Sequence, residues 1–408
     1  VGRKHTLISP ISLVSPISPI SVSFKDNNKT NIRVAWLLPS MERGNYWQPI
    51  LKEFTKIFPQ TIVYTGFWEG FVPGLAETFS VQVVGKMQFV STTQRAGYSP
   101  GFIYVSPNII SYLFKFRPQV IFVSGFSLWT LLALLFKPWG KWQVVIVYDG
   151  SSPTIDYINS RVRLILRSTI VRFTDALITN TQAGKTYLTK ILGAKEDRVF
   201  ARPYQVPDVN TLLGHPERGS EPKPELQHPI FLFVGKLIPR KGLQFLLKAC
   251  TILRQQGYEQ YTLLIVGDGE QRQELEAYSQ NHGLTNCVQW AGWENYDSLG
   301  AYFRQADVFV FPTLEDIWGV VLLEAMAFGK AILGSKWAGS SELVIQEENG
   351  YLFDPYHPEE LAELMRYFID NPDLIGSMGQ KSQQLIAQHN PEDAAKFLVQ
   401  VTSFALND

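Results

Sequence analysis

Short apolar runs separated by helix-length segments recur along this chain, stop once, and start again. The first series is "NIRVAWLLP", "TIVYTG", "QVIFVSG", "WQVVIVYDG" and "DALITNT", with "YWQPILKEFTKIF" and "INSRVRLILRSTIVRF" between them. Strand-like runs alternating with amphipathic segments argue for a parallel α/β sheet. The break is "NTLLGHPERGSEPKPELQHP", residues 210–229, whose Pro, Gly and Glu are linker composition. The pattern then resumes with "IFLFVGKL", "YTLLIVGDG", "CVQWAG", "DVFVFPT" and "KAILGS". A chain of 408 residues exceeds one ordinary core. The expected division is a first α/β domain over 31–209, the linker 210–229, a second α/β domain over 230–385, and a terminal segment 386–408. The last contains "PEDAAKFLVQVTSFAL", a helix expected to pack back against the first domain. Two open α/β domains imply a cleft, with ligands beyond the carboxyl ends of the strands, where helix N-termini point.

Residues 1–30 repeat Ile-Ser-Pro and lack a continuous apolar stretch, so they read as a disordered low-complexity tail or as sequence upstream of a natural start. The longest apolar run, residues 120–136, carries a Ser-Gly break that divides it into a strand (Val120–Val123) and a helix (about Leu128–Phe136); a membrane span is the competing reading. Two cysteines form neither a disulfide framework nor a metal cluster and suit a reducing compartment. The formal charge is zero but unevenly placed. Residues 31–205 hold 19 Lys+Arg against 9 Asp+Glu, and residues 206–408 hold 14 against 27. A basic half points to an anionic partner such as a membrane surface or a phosphorylated acceptor, or else to attraction between the two halves.

The residue hardest to place is Glu324. It follows Val320, Val321, Leu322 and Leu323 and precedes Ala325, Met326 and Ala327, in a run that opens near Gly319 and closes at Gly329. A carboxylate in a buried helix is costly unless donors surround it. Three features fall at strand ends of the same domain: Lys236 and Lys241 in "FVGKLIPRKG", Gly267 and Gly269 in "IVGDGE", and Asp316 upstream of Glu324. Two lysines and a helix start on one rim suit a diphosphate. Glu324 could then accept hydrogen bonds from ribose, with Asp316 reaching a group beyond the phosphates; eight helical residues span ~12 Å. Each residue has a plainer alternative. The lysines could be surface residues, Asp316 a helix cap, the glycines a tight turn, and Glu324 the partner of an internal Arg or Lys.

In combination, "FVGKLIPRKG", "LLIVGDGE", "DIWGVVLLEAMAFGKAIL" and "GSSELV" resemble the nucleotide-sugar-binding half of the retaining glycosyltransferases of family 4 (glycosyl transferases group 1) over about residues 230–355. That resemblance implies the GT-B fold: two Rossmann-like domains facing across a cleft, the first holding the acceptor and the second the nucleotide sugar. It implies that Lys236 and Lys241 neutralise the donor diphosphate, that Glu324 holds the ribose, and that Asp316 contacts the donor sugar. It further implies that Gly319, Val320 and Val321 present backbone N–H groups, with Trp318 beside them, and that Gly267 lets backbone approach the nucleotide. Gly44, in "PSMERGNYW", would approach the donor from the first domain. The sequence departs from the family where Asp316 replaces a Glu, Trp318 a Phe, and Lys236 an Arg. Residues 31–205 contain no histidine, where many members place one near the sugar; Tyr148 and Asp149 stand at the corresponding strand end as acceptor-side candidates.

The expected activity is transfer of a sugar from a nucleotide diphosphate donor to an acceptor hydroxyl with retention, in polysaccharide, glycolipid or cell-envelope glycan synthesis. With no Asp-x-Asp in the chain, no metal and no cofactor beyond the donor are expected, and nucleic acid is not an expected partner. The basic half, with Trp36, Trp47, Trp68, Trp129 and Trp139, suits a lipid-linked acceptor and a cytoplasmic protein peripheral to a membrane. The rivals are a non-catalytic GT-B scaffold that binds nucleotide sugar or a partner enzyme, and a soluble enzyme acting on a small sugar or sugar phosphate.

Overall fold

The computed structural model describes residues 31–41, 46–91, 101–209, 212 and 226–407. The tail 1–30, Gly44 and most of the linker lie outside the described residues.

The first half forms a seven-stranded sheet from β1 (Val34–Leu37), β2 (Thr61–Thr65), β3 (Ser80–Val83), β4 (Val120–Ser124), β5 (Gln143–Val147), β6 (Ala176–Thr179) and β7 (Val199–Ala201). The order is β7-β6-β5-β4-β1-β2-β3 and every pairing is parallel. Its central strands are unbroken runs of Val, Ile, Phe and Ala because both faces are covered. The helices used below are α1 (Trp47–Ile57), α2 (Leu128–Leu135), α3 (Lys137–Gly140), α4 (Arg161–Arg172) and α5 (Gln182–Thr186). In α1 the buried residues Trp47, Ile50, Leu51 and Phe54 repeat at helical spacing, and Lys56 faces out. The run 120–136 divides at Ser127, whose hydroxyl caps α2 by accepting from Thr130 N. Among the described residues no helix is long and apolar enough to cross a membrane.

The second half forms a six-stranded parallel sheet from β8 (Ile230–Val234), β9 (Thr262–Val266), β10 (Val288–Gly292), β11 (Val308–Phe311), β12 (Ala331–Ser335) and β13 (Gly350–Phe353), in the order β10-β9-β8-β11-β12-β13. Its helices include α6 (Leu243–Gln255) and α7 (Val320–Ala327). The chain ends in α8 (Pro391–Asn407), which lies against α1 and the β4–β6 strands of the first domain. Phe397, Leu398 and Val401 are buried there, and Phe404 meets Phe200 edge-on at 5.0 Å. Burying each such side chain contributes about 2 kcal/mol, so the returning helix ties the two domains together.

Strand order reverses beside β1 in the first sheet and beside β8 in the second. These reversals open crevices past the strand ends, and the second crevice carries the residues singled out above. The tryptophan reading is corrected. Trp36, Trp47 and Trp129 are core residues, Trp36 stacked on Phe122 at 4.2 Å, and Trp68 is partly buried; only Trp139 of the five is exposed.

Candidate active site

β8 leaves the sheet at Val234, and the chain runs through Gly235 and an exposed Lys236 into a tight turn, Pro239–Lys241. Gly242 follows with φ 73°, and a Cβ there would sit 1.9 Å from the Pro312 carbonyl oxygen, so only glycine lets the β8 loop press on the end of β11. The Arg240 carbonyl accepts from Leu314 N (2.8 Å) and the Thr313 hydroxyl (3.1 Å), fixing one loop to the other. This clamp delivers two cations to one acid. Lys241 Nζ lies 2.6 Å from Asp316 Oδ2, and Arg240 Nη1 lies 3.3 Å from the same oxygen while donating to Glu315 O at 2.7 Å. Burial works to raise the Asp316 carboxyl, but the Lys241 ammonium, the Arg240 guanidinium and the Trp318 N–H outweigh it and hold it below the usual carboxylate range. Asp316 is therefore an ion-paired acid on the crevice wall and does not cap α7.

Gly319 supplies the cap of α7. Its φ is 92°, and a Cβ would meet the Phe311 ring at 2.6 Å. The N–H groups of Val320 and Val321 then open the helix at its positive end. One turn on, Glu324 is 2% exposed; its Oε1 accepts from the Tyr296 hydroxyl at 3.0 Å. Among the described residues the partner is a phenol, and no arginine or lysine pairs with the carboxylate. Burial pushes this carboxyl up to about 7, against the smaller opposite effect of the Tyr296 hydrogen bond. Tyr46, at the start of α1 in the first domain, senses the same acids. Burial, then Glu324, then Asp316 push its phenol well above the ordinary value.

The first domain closes the crevice from the other side. The Trp318 indole N–H donates to the Gln205 carbonyl at 2.7 Å. Gln205 Nε2 and the Tyr204 hydroxyl each donate to Asp149 Oδ1 at 2.9 Å. Burial raises Asp149 to about 6 despite those two donors. The residue after it, Gly150, packs against the Ile317 carbonyl, where a Cβ would come within 2.1 Å. Glu315 accepts from Thr154 N (3.0 Å) and Oγ1 (2.6 Å), and Glu342 accepts from Gln182 N (2.8 Å) and Ala183 N (3.0 Å) at the start of α5. The Asp316–Trp318 segment is thereby held between the domains.

The structure brings Lys241, Asp316, Trp318, Gly319, Val320, Val321 and Glu324 onto one wall, with Asp149 opposite. Lys236 is exposed at the neighbouring strand end. One expectation needs correction. Tyr148 is buried inside the first domain, bonded to Asp156 and stacked on Tyr187, so it does not face an acceptor beside Asp149. Gly267 has φ 140°, and a Cβ would meet the Gly235 carbonyl oxygen at 1.9 Å, so its missing side chain admits the neighbouring loop. Gly44 lies outside the described residues. Sequence reasoning missed Arg240, adjacent to Lys241 and read only as part of its turn, and Tyr46, Tyr296 and Gln205, which carry no local signal.

Residues 217–396 match the family model described as "Glycosyl transferases group 1". An uncharacterised glycosyltransferase of Haemophilus influenzae is 27% identical over 57% of this chain and 63% of its own length. A D-inositol 3-phosphate glycosyltransferase of Corynebacterium jeikeium is 26% identical over 70% and 69%. The chain spans about a third to just under two thirds of the length of the first curated relatives it matches. Among solved structures, Anabaena HepE in complex with UDP superposes with a TM-score of 0.70 at 17% identity, over 91% of this chain and 100% of that one. The sucrose-phosphate synthase of Thermosynechococcus elongatus superposes at 0.66 and 19%, over 91% and 98%. At such identities the likeness carries the fold, and the fold is GT-B.

Proposed function

We propose that this chain, whose residues 217–396 match the glycosyl transferases group 1 family model, transfers a sugar from a nucleoside diphosphate sugar to an acceptor hydroxyl. The observation that carries the reading is the wall itself. A carboxylate that burial holds near neutrality, Glu324, stands one helical turn below a helix start and in line with an acid clamped by two cations. A nucleoside diphosphate satisfies each group. Its ribose hydroxyls donate to Glu324 in place of Tyr296. Its phosphates take the N–H groups of Val320 and Val321 together with Lys241, Arg240 and the exposed Lys236. The sugar beyond them meets Asp316, and Asp149 faces it from the first domain.

Breaking the anomeric C–O bond leaves positive charge on the sugar and negative charge on the departing diphosphate. Cations and a helix start fixed where that negative charge grows stabilise it without reorganising. Retention follows in this reading if the acceptor attacks on the leaving-group face and gives its proton to the departing phosphate oxygen. The reading needs no divalent ion, so EDTA should leave the rate unchanged. Its finer terms are an acceptor on a glycan or lipid-linked chain and a cytoplasmic enzyme peripheral to a membrane.

The test is a thermal-shift panel of UDP-, GDP- and ADP-sugars. The matching donor at ~100 times its dissociation constant should add about 2.7 kcal/mol of stability, and Lys241→Ala should abolish the shift. Failure of every nucleotide sugar to stabilise the chain removes the proposal. A donor that binds without hydrolysis or transfer to any acceptor leaves a binding scaffold instead.

A further inference from the structure

The helix α4 is apolar on the side that faces water. Val162, Ile165, Leu166 and Phe173 recur at helical spacing along one stripe, and Ile158, in the turn before the helix, is exposed as well. Val162 is 78% exposed, Ile165 68% and Phe173 65%. Only Ile170 and Val171 of the helix are fully buried. Side chains of this kind ordinarily face a core, and a contiguous stripe of them on a surface marks something that covers it.

The stripe continues onto neighbouring elements. Lys137, which opens α3, bonds Asp175 at 2.6 Å and reaches the Phe173 carbonyl at 3.5 Å, which places α3 beside the end of α4. Trp139 on α3 is 68% exposed, and Leu135 at the end of α2 is also exposed. The charges around this patch have one sign. Residues 157–174 contain Arg161, Arg163, Arg167 and Arg172 and no acid. Arg163 and Arg167 stack on Tyr157, and Arg167 donates to the Tyr187 hydroxyl, so both are turned back onto the fold. Arg161 and Arg172 flank the stripe at its two ends and are exposed. The two acids that flank the segment are both engaged: Asp156 is buried and bonded to Tyr148 and Ser151, and Asp175 pairs with Lys137.

We propose that this face of α4, with Trp139 and Leu135, docks the chain on an anionic lipid surface. A second copy of the chain is the weaker occupant, because a two-fold contact through this stripe sets arginines against arginines. An acidic bilayer accepts both features together: apolar side chains enter the headgroup region while guanidinium groups pair with lipid phosphates. Ile158 lies four residues after Thr154, whose hydroxyl touches Glu315 of the second domain. Docking would therefore bring the lipid surface to the edge of the interdomain cleft. The inference deepens the peripheral-membrane part of the proposed function and rests on it, and its test is separable from that of sugar transfer because vesicle binding is read without any nucleotide.

The experiment is co-sedimentation of the full chain with vesicles of phosphatidylcholine alone and of phosphatidylcholine with added phosphatidylglycerol, at low and high salt. Binding is expected only to the anionic vesicles and is expected to weaken with salt. Arg161→Gln and Arg172→Gln should each weaken it about fivefold, and Ile165→Ser about tenfold. These positions are exposed, so melting temperature and any nucleotide-induced shift should match wild type, which separates loss of docking from loss of fold. Absence of binding to anionic vesicles at low salt overturns the proposal, as does binding that survives all three substitutions. A dimer in sedimentation velocity that Ile165→Ser dissociates, with no vesicle binding, assigns the face to a second copy and also overturns it.

Discussion

Glu324→Gln should stabilise the ligand-free protein while weakening its grip on the donor. Burial lifts the Glu324 carboxyl from its ordinary value of 4.5 to about 7 in the folded chain. An acid whose folded value is raised holds its proton more tightly when folded. Its favourable contribution is complete below the unfolded value and is lost as pH rises through the folded one. Between pH 4.5 and 7 the unfolded chain releases the proton and the folded chain does not. Above 7 the folded state carries a buried charge at a cost of about 3 kcal/mol. The amide never ionises and keeps the Tyr296 hydroxyl as a partner, so it escapes that cost. Urea unfolding followed by tryptophan fluorescence at pH 5 and pH 8 reads the difference. The variant should exceed wild type by roughly 2–3 kcal/mol at pH 8 and by little at pH 5. Other titrating groups, such as Asp149, cancel in the comparison because both proteins contain them. A variant that is less stable than wild type at pH 8, or a gap that does not change with pH, would refute the argument that burial raises the Glu324 carboxyl. Donor affinity should move the other way. Ribose hydroxyls favour the ionised carboxylate, so affinity should rise as pH passes through about 7 and should be low at all pH values in Glu324→Gln.

Lys241→Ala should cost about 3 kcal/mol of stability, because it removes the shortest cation contact of a buried carboxylate; adding Asp316→Asn should recover most of the loss in a double-mutant cycle. Gly319→Ala forces a methyl toward the Phe311 ring at a φ of 92° and should lower stability by about 2 kcal/mol or more, measured by thermal unfolding. Trp318→Phe removes the indole donor to the Gln205 carbonyl and should cost about 1 kcal/mol of stability, measured by urea unfolding.

The sequence made the architecture legible where strands are buried on both faces, because unbroken Val, Ile and Phe runs leave little alternative. It did not reveal β3, whose residues Ser80–Val83 form a largely exposed edge with no apolar run to mark it. β13 was likewise hidden in the short "GYLF". Glu324 stood out because a charge inside an apolar helix breaks the pattern, and the break locates the wall. Its partner did not, because Tyr296 lies 28 positions away on a separate loop. Tyr148 and Asp149 show why a strand end is hard to read. Successive side chains there point to opposite faces, so the two could not both face the cleft, and periodicity did not say which would. The contact between Thr154 and Glu315 spans 161 positions and depends on how the two domains meet, which no local pattern encodes.

Calorimetric binding of the best nucleoside diphosphate and its 2′,3′-dideoxy analogue, to wild type and to Glu324→Gln, interrogates the ribose contact itself. Hydrogen bonds to a charged group are worth about 1.5–3 kcal/mol each, so wild type should prefer the intact ribose by tenfold or more, and the variant should lose most of that preference. Equal affinity of wild type for both compounds would mean that Glu324 does not hold a ribose, and the nucleotide-sugar assignment of this wall would fall.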